Sequence, residues 1–181
     1  MKSFFHKHLM ILAPIGMLVL VAIDQITKAL AVRYLKGKEA FVIWDGVFEF
    51  HYFENTGAAW GMLQNKQILF YILTVIFCVA VMIEVCRLYK ESRYTPFVYT
   101  LFLVLAGALG NFIDRILNQY VVDFLYFKLI DFPIFNLADC YITVAVILMM
   151  LLILFYYKDE EFEYIFPGIS SKKKKEQVEV E

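Results

Sequence analysis

Charge is scarce in this sequence and is balanced where it occurs. Of the 181 residues, 19% are charged and 61% are hydrophobic, and the formal net charge is -1. Soluble domains carry about a quarter charged residues and about 45–50% apolar ones. The composition therefore excludes a soluble or disordered chain, and the near-zero charge without a recurring basic face excludes a nucleic-acid binder. What remains is an integral membrane protein small enough to form one domain.

Metal-binding and thiol motifs are also missing. The three cysteines are an odd count, form no CxxC pair and lie in or beside apolar runs, so they indicate neither a disulfide framework nor a metal site. No HExxH motif is present and no histidine lies in a predicted span, which argues against an intramembrane zinc peptidase. We therefore expect no metal and no cofactor.

Four apolar runs are long enough to cross a bilayer as helices, which takes about 20 residues. They cover residues 9–32, 68–85, 97–117 and 138–157. The expected fold is an all-α integral membrane protein with one four-span domain over residues 1–157, followed by a charged cytoplasmic tail, 158–181. The first run ends on an Ala-Leu-Ala sequence that resembles a signal-peptide cleavage site. Its length and the charges of Asp24 and Lys28 favour an uncleaved helix instead.

The flanking basic residues predict the orientation. They are more frequent on the side of the two termini than on the side of loops 33–67 and 118–137. Cytoplasmic segments carry the excess of Lys and Arg, so both termini are predicted to be cytoplasmic and both loops to lie outside. The four serines, at positions 3, 92, 170 and 171, then all lie on the cytoplasmic side. This excludes a serine nucleophile at the outer face.

The outer loop 33–67 contains a hairpin pattern. Asp45-Gly46 separates two aromatic and β-branched runs, 40–44 and 47–53, which is typical of a β-hairpin. Its aromatic residues suit a small sheet beside lipid headgroups. Two roles stay open, because the hairpin could either cap the helices or guide a substrate.

Polar residues within membrane spans are costly and indicate function. The predicted topology brings such residues from three spans and one loop to the same depth, near the outer face. The set comprises Asp24 and Lys28 of the first span, Gly107, Asn111, Asp114 and Arg115 of the third, Asp123 in the following loop, and Asn136 and Asp139 at the start of the fourth. This convergence predicts a site.

Purely structural interpretations of several members stay open. Asp24 and Lys28 are four residues apart on one helix face and could be a neutralising ion pair. Asn136 could join helices or cap the fourth helix. Gly107 could simply allow close helix approach, and Asp114 suits a structural network more than chemistry.

The remaining chemistry is that of paired aspartates. Two neighbouring carboxyl groups share one proton, so one member can deprotonate water while the other polarises a peptide carbonyl. Asp123 and Asp139 are the best pair because both lie at the mouth of the predicted site. A thiol mechanism at Cys140 would need His51 as its base and is the weaker alternative.

Two other functional classes use similar residues. A proton or cation transporter also places carboxylates with Lys and Arg at membrane depth. Here the charges cluster at one face, and no charge lies midway along the second or fourth span, so no conducting path is indicated. A structural four-span protein would not explain the Asn and Asp cluster at one depth.

Five motifs occur in order on the four spans. They are DQITK at 24–28, NTGAAWG at 55–61, GALGNFIDR at 107–115, VVDF at 121–124 and FNLAD at 135–139. Each is weak alone, but together they resemble the bacterial lipoprotein signal peptidase (signal peptidase II) family over residues 10–157. Trp60, Ala106 and Ala145 depart from the residues that are common in that family.

The resemblance implies an aspartic peptidase of the bacterial inner membrane that cuts prolipoproteins just before a diacylglyceryl-modified cysteine. It implies a four-helix bundle with an outer β-cradle, here about residues 38–66, and a catalytic dyad of Asp123 and Asp139. The supporting residues that it implies are Asp24, Lys28, Asn55, Gly57, Gly107, Asn111, Asp114, Arg115, Asn136 and Ala138. Expected partners are the prolipoprotein substrates, membrane lipid and globomycin-type inhibitors, and the protein is expected to be a monomer.

Overall fold

The computed structural model describes residues 2–57 and 66–167. In chain order its elements are α1 (Lys2–Leu35), β1 (Phe41–Trp44), β2 (Phe48–Asn55), α2 (Gln67–Leu88), α3 (Thr95–Asn118), β3 (Val121–Phe127), α4 (Leu137–Leu151) and α5 (Asp159–Ile165). A π-helical turn, Leu152–Tyr156, continues α4. The end of the NTGAAWG motif, with Trp60, and the tail beyond residue 167 lie outside the described residues.

Among residues 2–57 and 66–167, four helical segments are long and apolar enough to cross a membrane. They are Met10–Leu35, Gln67–Leu88, Ser92–Asn118 and Leu137–Tyr156. Many of their Leu, Ile, Val and Phe side chains are exposed, and such side chains are stable against lipid tails but not against water. The prediction of a helical, multi-pass membrane protein is confirmed.

The central helix of the bundle is α3, which packs against α1, α2 and α4. Two glycines permit this packing. A Cβ atom on Gly107 would lie 2.4 Å from the carbonyl oxygen of Ala138, and one on Gly110 would lie 2.6 Å from Oδ2 of Asp24. Because a Cβ atom does not tolerate such distances, the start of α4 and the Asp24 side chain of α1 rest directly against the backbone of α3.

The predicted hairpin is present as β1 and β2. At its turn, Gly46 adopts a left-handed conformation with φ 69°, which costs glycine little. The backbone N–H of Val47 donates to the carbonyl of Trp44 at 2.9 Å. The two strands pair antiparallel.

The sheet has a third strand that the sequence analysis missed. Residues 118–137 are predicted from the sequence to form a loop, whereas in the structure β3 pairs antiparallel with β2 and places Asp123 opposite Phe53. Strand prediction relies on alternating polar and apolar residues. All four residues from Val121 to Phe124 are buried, so this strand shows no such alternation.

The bundle has two chemically distinct ends. At the sheet end, α1 and α3 finish and α2 and α4 begin. At the opposite end, here called the tail end, Met10 of α1, Tyr94 and Ile165 of α5 belong to one hydrophobic cluster. Both ends of the described chain therefore lie on the same side of the bundle.

Candidate active site

The polar residues of α1, α3, β3 and α4 form one hydrogen-bonded network at the sheet end. Lys28 is its central cation. Its Nζ atom lies 2.8 Å from Asp24 Oδ2 and 3.0 Å from Asp114 Oδ2, and it donates to Asn111 Oδ1 at 3.0 Å. An ammonium group has three N–H donors, and these contacts use all of them.

Asp24 and Asp114 fix the backbone of neighbouring elements. Oδ1 of Asp24 accepts a hydrogen bond from the N–H of Ala138 at 3.0 Å, and Oδ2 of Asp114 accepts one from the N–H of Val122 at 3.0 Å. The two carboxylates therefore hold the start of α4 and the start of β3 against α1 and α3. This arrangement supports the structural interpretation of both residues.

Gln25 belongs to the same network, although the sequence analysis did not single it out. Its Nε2 atom donates to the carbonyl of Gly110 at 3.1 Å and to Asp114 Oδ1 at 3.0 Å. A neutral amide costs less free energy in a membrane span than a charge does, so it is a weaker indication of function. Its position inside the DQITK motif was the available signal.

Asp123 is almost completely buried, with 1% of its surface exposed. Its two oxygens accept hydrogen bonds from two amides, Asn136 Nδ2 at 2.6 Å and Asn55 Nδ2 at 2.9 Å. Burial and the neighbouring Asp139 carboxylate raise the pKa of Asp123 to about 7, although the two amide hydrogen bonds lower it. A proton is therefore available on this carboxyl group near neutral pH.

Asp139 lies in the first turn of α4 and forms a capping box with Asn136. The N–H of Asp139 donates to Asn136 Oδ1 and the N–H of Asn136 donates to Asp139 Oδ2, both at 3.1 Å. Asn111 Nδ2 donates to the other Asp139 oxygen at 2.8 Å. The positive end of the helix dipole and these donors offset part of the cost of ionising this buried carboxyl group. Asn136 thus caps the helix and also joins Asp123 to Asn111.

Arg115 is directed at the chain that follows β2. Its Nη2 atom donates to the carbonyl of Gly57 at 2.7 Å, and its guanidinium lies 4.0 Å from the ring centre of Phe70. Asn55 Oδ1 accepts from the N–H of Gly57 at 3.0 Å. These contacts fasten the segment that carries Asn55 beside Asp123.

Two residues at the start of α2 were missed from the sequence, of which one contacts this segment and the other contacts the end of α3. Gln67 Nε2 donates to the carbonyl of Thr56 at 3.1 Å, and the hydroxyl of Tyr71 donates to the carbonyl of Arg115 at 2.7 Å. Both acceptors are backbone atoms, which no residue pattern reveals.

A cavity of about 1010 Å³ opens between the sheet, the β3–α4 connection and α4. Its described lining includes Asp123, Asp139, Asn55, Asn111, Arg115, Gly57, His51 and Cys140. Asp24, Lys28 and Asp114 lie behind this wall and are at most 3% exposed. Asp123 and Asp139 can therefore meet a ligand directly, whereas Asp24 and Asp114 support the wall.

Comparison with known proteins gives consistent matches. The model of the signal peptidase (SPase) II family matches residues 16–155. The chain is 45% identical over 132 residues to a lipoprotein signal peptidase of Anoxybacillus flavithermus, covering 72% of this chain and 77% of that protein. It is 43% identical over 128 residues to that of Brevibacillus brevis, covering 71% and 85%.

Solved structures resemble the fold as well. One bacterial membrane enzyme superposes with a TM-score of 0.70 at 35% identity, covering 78% of this chain and 87% of that one. A second superposes with a TM-score of 0.67 at 34% identity, covering 81% and 93%. The segment of α5 lies beyond the region that the family model matches.

Proposed function

The chain belongs to the signal peptidase II family, and we propose that it is an aspartic endopeptidase with Asp123 and Asp139 as its catalytic pair. Family membership makes it a membrane peptidase that removes signal peptides from prolipoproteins. One observation carries the proposed mechanism. Asp123 and Asp139 line the cavity, whereas Asp24 and Asp114 lie behind its wall with Lys28.

The hydrogen bonds support different roles for the two carboxyl groups. Asp139 is the base, because the start of α4 and the Asn111 amide favour its ionised form. Lys28 strengthens that amide, since it donates to Asn111 Oδ1 while Asn111 Nδ2 donates to Asp139. Asp123 is the acid, because burial keeps its proton.

The reaction then follows general acid–base chemistry. Asp139 takes a proton from a water molecule, whose oxygen attacks the peptide carbonyl carbon. Asp123 gives its proton to the carbonyl oxygen, and a tetrahedral intermediate forms. When the C–N bond breaks, the leaving amine takes the proton that Asp139 had accepted. A hydroxyl group of the intermediate returns a proton to Asp123 as the new carboxyl group forms, and the pair returns to its starting state.

The walls of the cavity support cleavage just before a diacylglyceryl-modified cysteine. Apolar residues of α4, Ile142 and Val144, line one side, and Phe132 and Ile134 of the β3–α4 connection line another. The spans end at this depth, so acyl chains can stay in lipid while the peptide reaches the carboxyl groups. A globomycin-type cyclic peptide would occupy the same space.

The orientation and location belong to the same proposal. The enzyme lies in the bacterial inner membrane as a monomer, with both termini in the cytoplasm and the sheet in the periplasm. The excess of Lys and Arg beside the tail end supports this direction. Substrate that has been lipidated at the outer leaflet would then meet the cavity at its own depth.

Incubation of the purified protein with lipidated and unlipidated forms of one prolipoprotein tests the proposal. We expect cleavage of the lipidated form alone, detected by gel shift, with the new amino terminus at the modified cysteine by mass spectrometry. Equal cleavage of both forms would contradict the substrate assignment. Cleavage at another bond would contradict the assigned position.

A further inference from the structure

The two faces of the β-sheet have different surroundings. Phe50 and Tyr52 of β2 pack with Ala31 and Leu35 of α1. The alternate residues, including His51 and Asn55, line the cavity. The cavity floor therefore continues from Asp123 along β2 and β3, away from the helix bundle.

A polar cluster lies along this floor and takes no part in the proposed reaction. It is built around Glu49, which is 5% exposed. Lys128 Nζ lies 3.0 Å from Glu49 Oε2, and His51 Nδ1 lies 3.7 Å from Oε1. Tyr126 stands opposite Glu49 in the strand register and packs edge-on against the His51 ring, with 6.2 Å between centroids.

Asp131 completes the cluster from the β3–α4 connection. The hydroxyl of Tyr126 donates to Asp131 Oδ1 at 2.6 Å, and the side chains of His51, Tyr126 and Asp131 belong to cavity-lining residues. Lys128 neutralises Glu49, whereas a hydroxyl hydrogen bond leaves the charge of Asp131 in place. This part of the cavity therefore presents a carboxylate, a phenol and an imidazole.

We propose that Asp131, Tyr126 and His51 form a subsite for a basic or hydrogen-bond-donating side chain in the substrate segment that follows the cleaved bond. The subsite rests on the proposed function, because that function determines which part of the substrate passes over the sheet. The apolar signal segment belongs among the spans. The mature segment is then the part that runs along the sheet.

Strand geometry sets the position of the recognised residue. Tyr126 is three residues beyond Asp123 on β3, which corresponds to about 10 Å at roughly 3.3 Å per residue. A substrate in extended conformation advances at the same rate. The subsite therefore reads the second to fourth residues of the mature lipoprotein, counting the modified cysteine as the first.

The test compares lipidated prolipoproteins that carry Lys, Ala or Glu at the second, third or fourth mature position. For wild-type enzyme we expect kcat/KM to be about fivefold higher with Lys than with Glu at one of these positions, as for an exposed charge pair. The difference should lie mainly in KM, because the contact is remote from the reacting bond.

Asp131→Asn should reduce the Lys-to-Glu ratio to about one. The exposed Asp131 has φ 47°, a conformation that Asn also tolerates, and Asn keeps an acceptor for Tyr126. Glu160→Gln removes one exposed negative charge from α5 at the tail end and should preserve the wild-type ratio.

Three results would overturn the subsite. Wild-type enzyme that cleaves Lys, Ala and Glu substrates equally at all three positions would refute it while the proposed function stands. An unchanged ratio in Asp131→Asn would refute the assignment to Asp131. No cleavage of any lipidated substrate would refute the proposed function together with the subsite.

Discussion

Two clusters of carboxylates, one at each end of the helix bundle, are neutralised in different ways. At the tail end, Arg93 Nε lies 2.6 Å from Glu161 Oε1, and Arg87 pairs with Glu84. Each of these acids faces its own guanidinium. At the sheet end, Asp24, Asp114, Asp123 and Asp139 share one network in which Lys28 forms the ion pairs and asparagine amides supply the other side-chain donors.

The same contrast appears in the proton affinity of the acids. The hydrogen bond from Arg93, followed by that from the Lys158 backbone, lowers the pKa of Glu161 to about 2. Burial, followed by the Asp139 charge, raises the pKa of Asp123 to about 7. Acids that are held ionised fasten elements together, whereas a buried acid that keeps a proton near neutral pH can transfer it. Of these two acids, Asp123 is therefore the one that we expect to transfer a proton.

The largest expected effect comes from removing either carboxyl group of the pair. Asp123→Asn and Asp139→Asn should each lower turnover by at least about 10²–10⁴-fold, because Asn can neither accept the proton of water nor donate one to the carbonyl. The double variant should be scarcely worse than either single one, since the pair acts as a unit. Initial rates with lipidated prolipoprotein measure turnover, and melting curves in detergent show whether each variant is folded.

The matched control at the tail end is Glu161→Gln, which makes the same carboxyl-to-amide change at a residue outside the cavity lining. It should leave turnover at the wild-type level. If either Asn variant kept more than about a tenth of wild-type turnover while folded, the assignment of the dyad would be wrong.

The next effect concerns the stability of the sheet end. Lys28→Ala leaves Asp24 and Asp114 buried without their cation, and the loss of one partner of a buried ion pair costs about 3–5 kcal/mol. The paired change Asp24→Asn with Lys28→Met should be milder, because it removes a charge of each sign. Unfolding in detergent, followed by circular dichroism, compares the two.

Lys28→Ala should also lower kcat, because Asn111 loses the cation that orients it toward Asp139. Lys28→Arg keeps the charge and should recover part of that loss. Equal melting temperatures of wild type and Lys28→Ala would contradict the prediction that the buried ion pairs of Lys28 stabilise the fold.

A smaller effect is the opposite response of the two ends to pH. The raised pKa of Asp123 means that the folded state binds more protons than the unfolded state between about pH 4 and 7, so this contribution to stability falls as pH rises through that range. The lowered pKa of Glu161 gives a contribution that is lost as pH falls from about 4.5 to about 2.

The pH dependence of catalysis should also reflect the protonation of Asp123. Above about pH 7, kcat/KM should fall as Asp123 loses its proton. Rates from pH 5 to 9 test this, and a profile that is flat to pH 9 would contradict the role of Asp123 as the acid. The melting temperature of wild type should decline between about pH 4 and 7, and Asp123→Asn should lose that decline.

The sequence predicts which residues meet at the sheet end, but it does not predict most of their individual contacts. Apolar length reveals spans, and alternating direction brings the end of the first, the end of the third and the start of the fourth to one side. The approach of Asp24 to Lys28 follows from helical spacing alone. The catalytic roles of Asp123 and Asp139 remain predictions.

Other contacts left no trace in the sequence, for physical reasons. The partner of β3 lies far away along the chain, and burial of residues such as Val122 on both faces removes the alternation that marks a strand. The charge of Arg115 would predict an ion pair with a carboxylate, yet its guanidinium donates to the carbonyl of Gly57. Every residue carries a backbone carbonyl, so only the folded structure determines which of them accepts from Arg115.

The smallest effect is expected from the exposed pair at the tail end. Arg93 and Glu161 hold α5 at the end of the bundle, where Arg93 also donates to the Tyr156 carbonyl at 2.6 Å. Glu161→Gln should shift the melting temperature by no more than about 2 °C, because solvent screens partly exposed ion pairs. At 1 M salt, where screening is nearly complete, the melting temperature of the wild-type protein should approach that of the variant. Glu160→Gln on the same helix should show no shift. A loss of stability as large as that of Lys28→Ala would mean that the two ends do not differ as described.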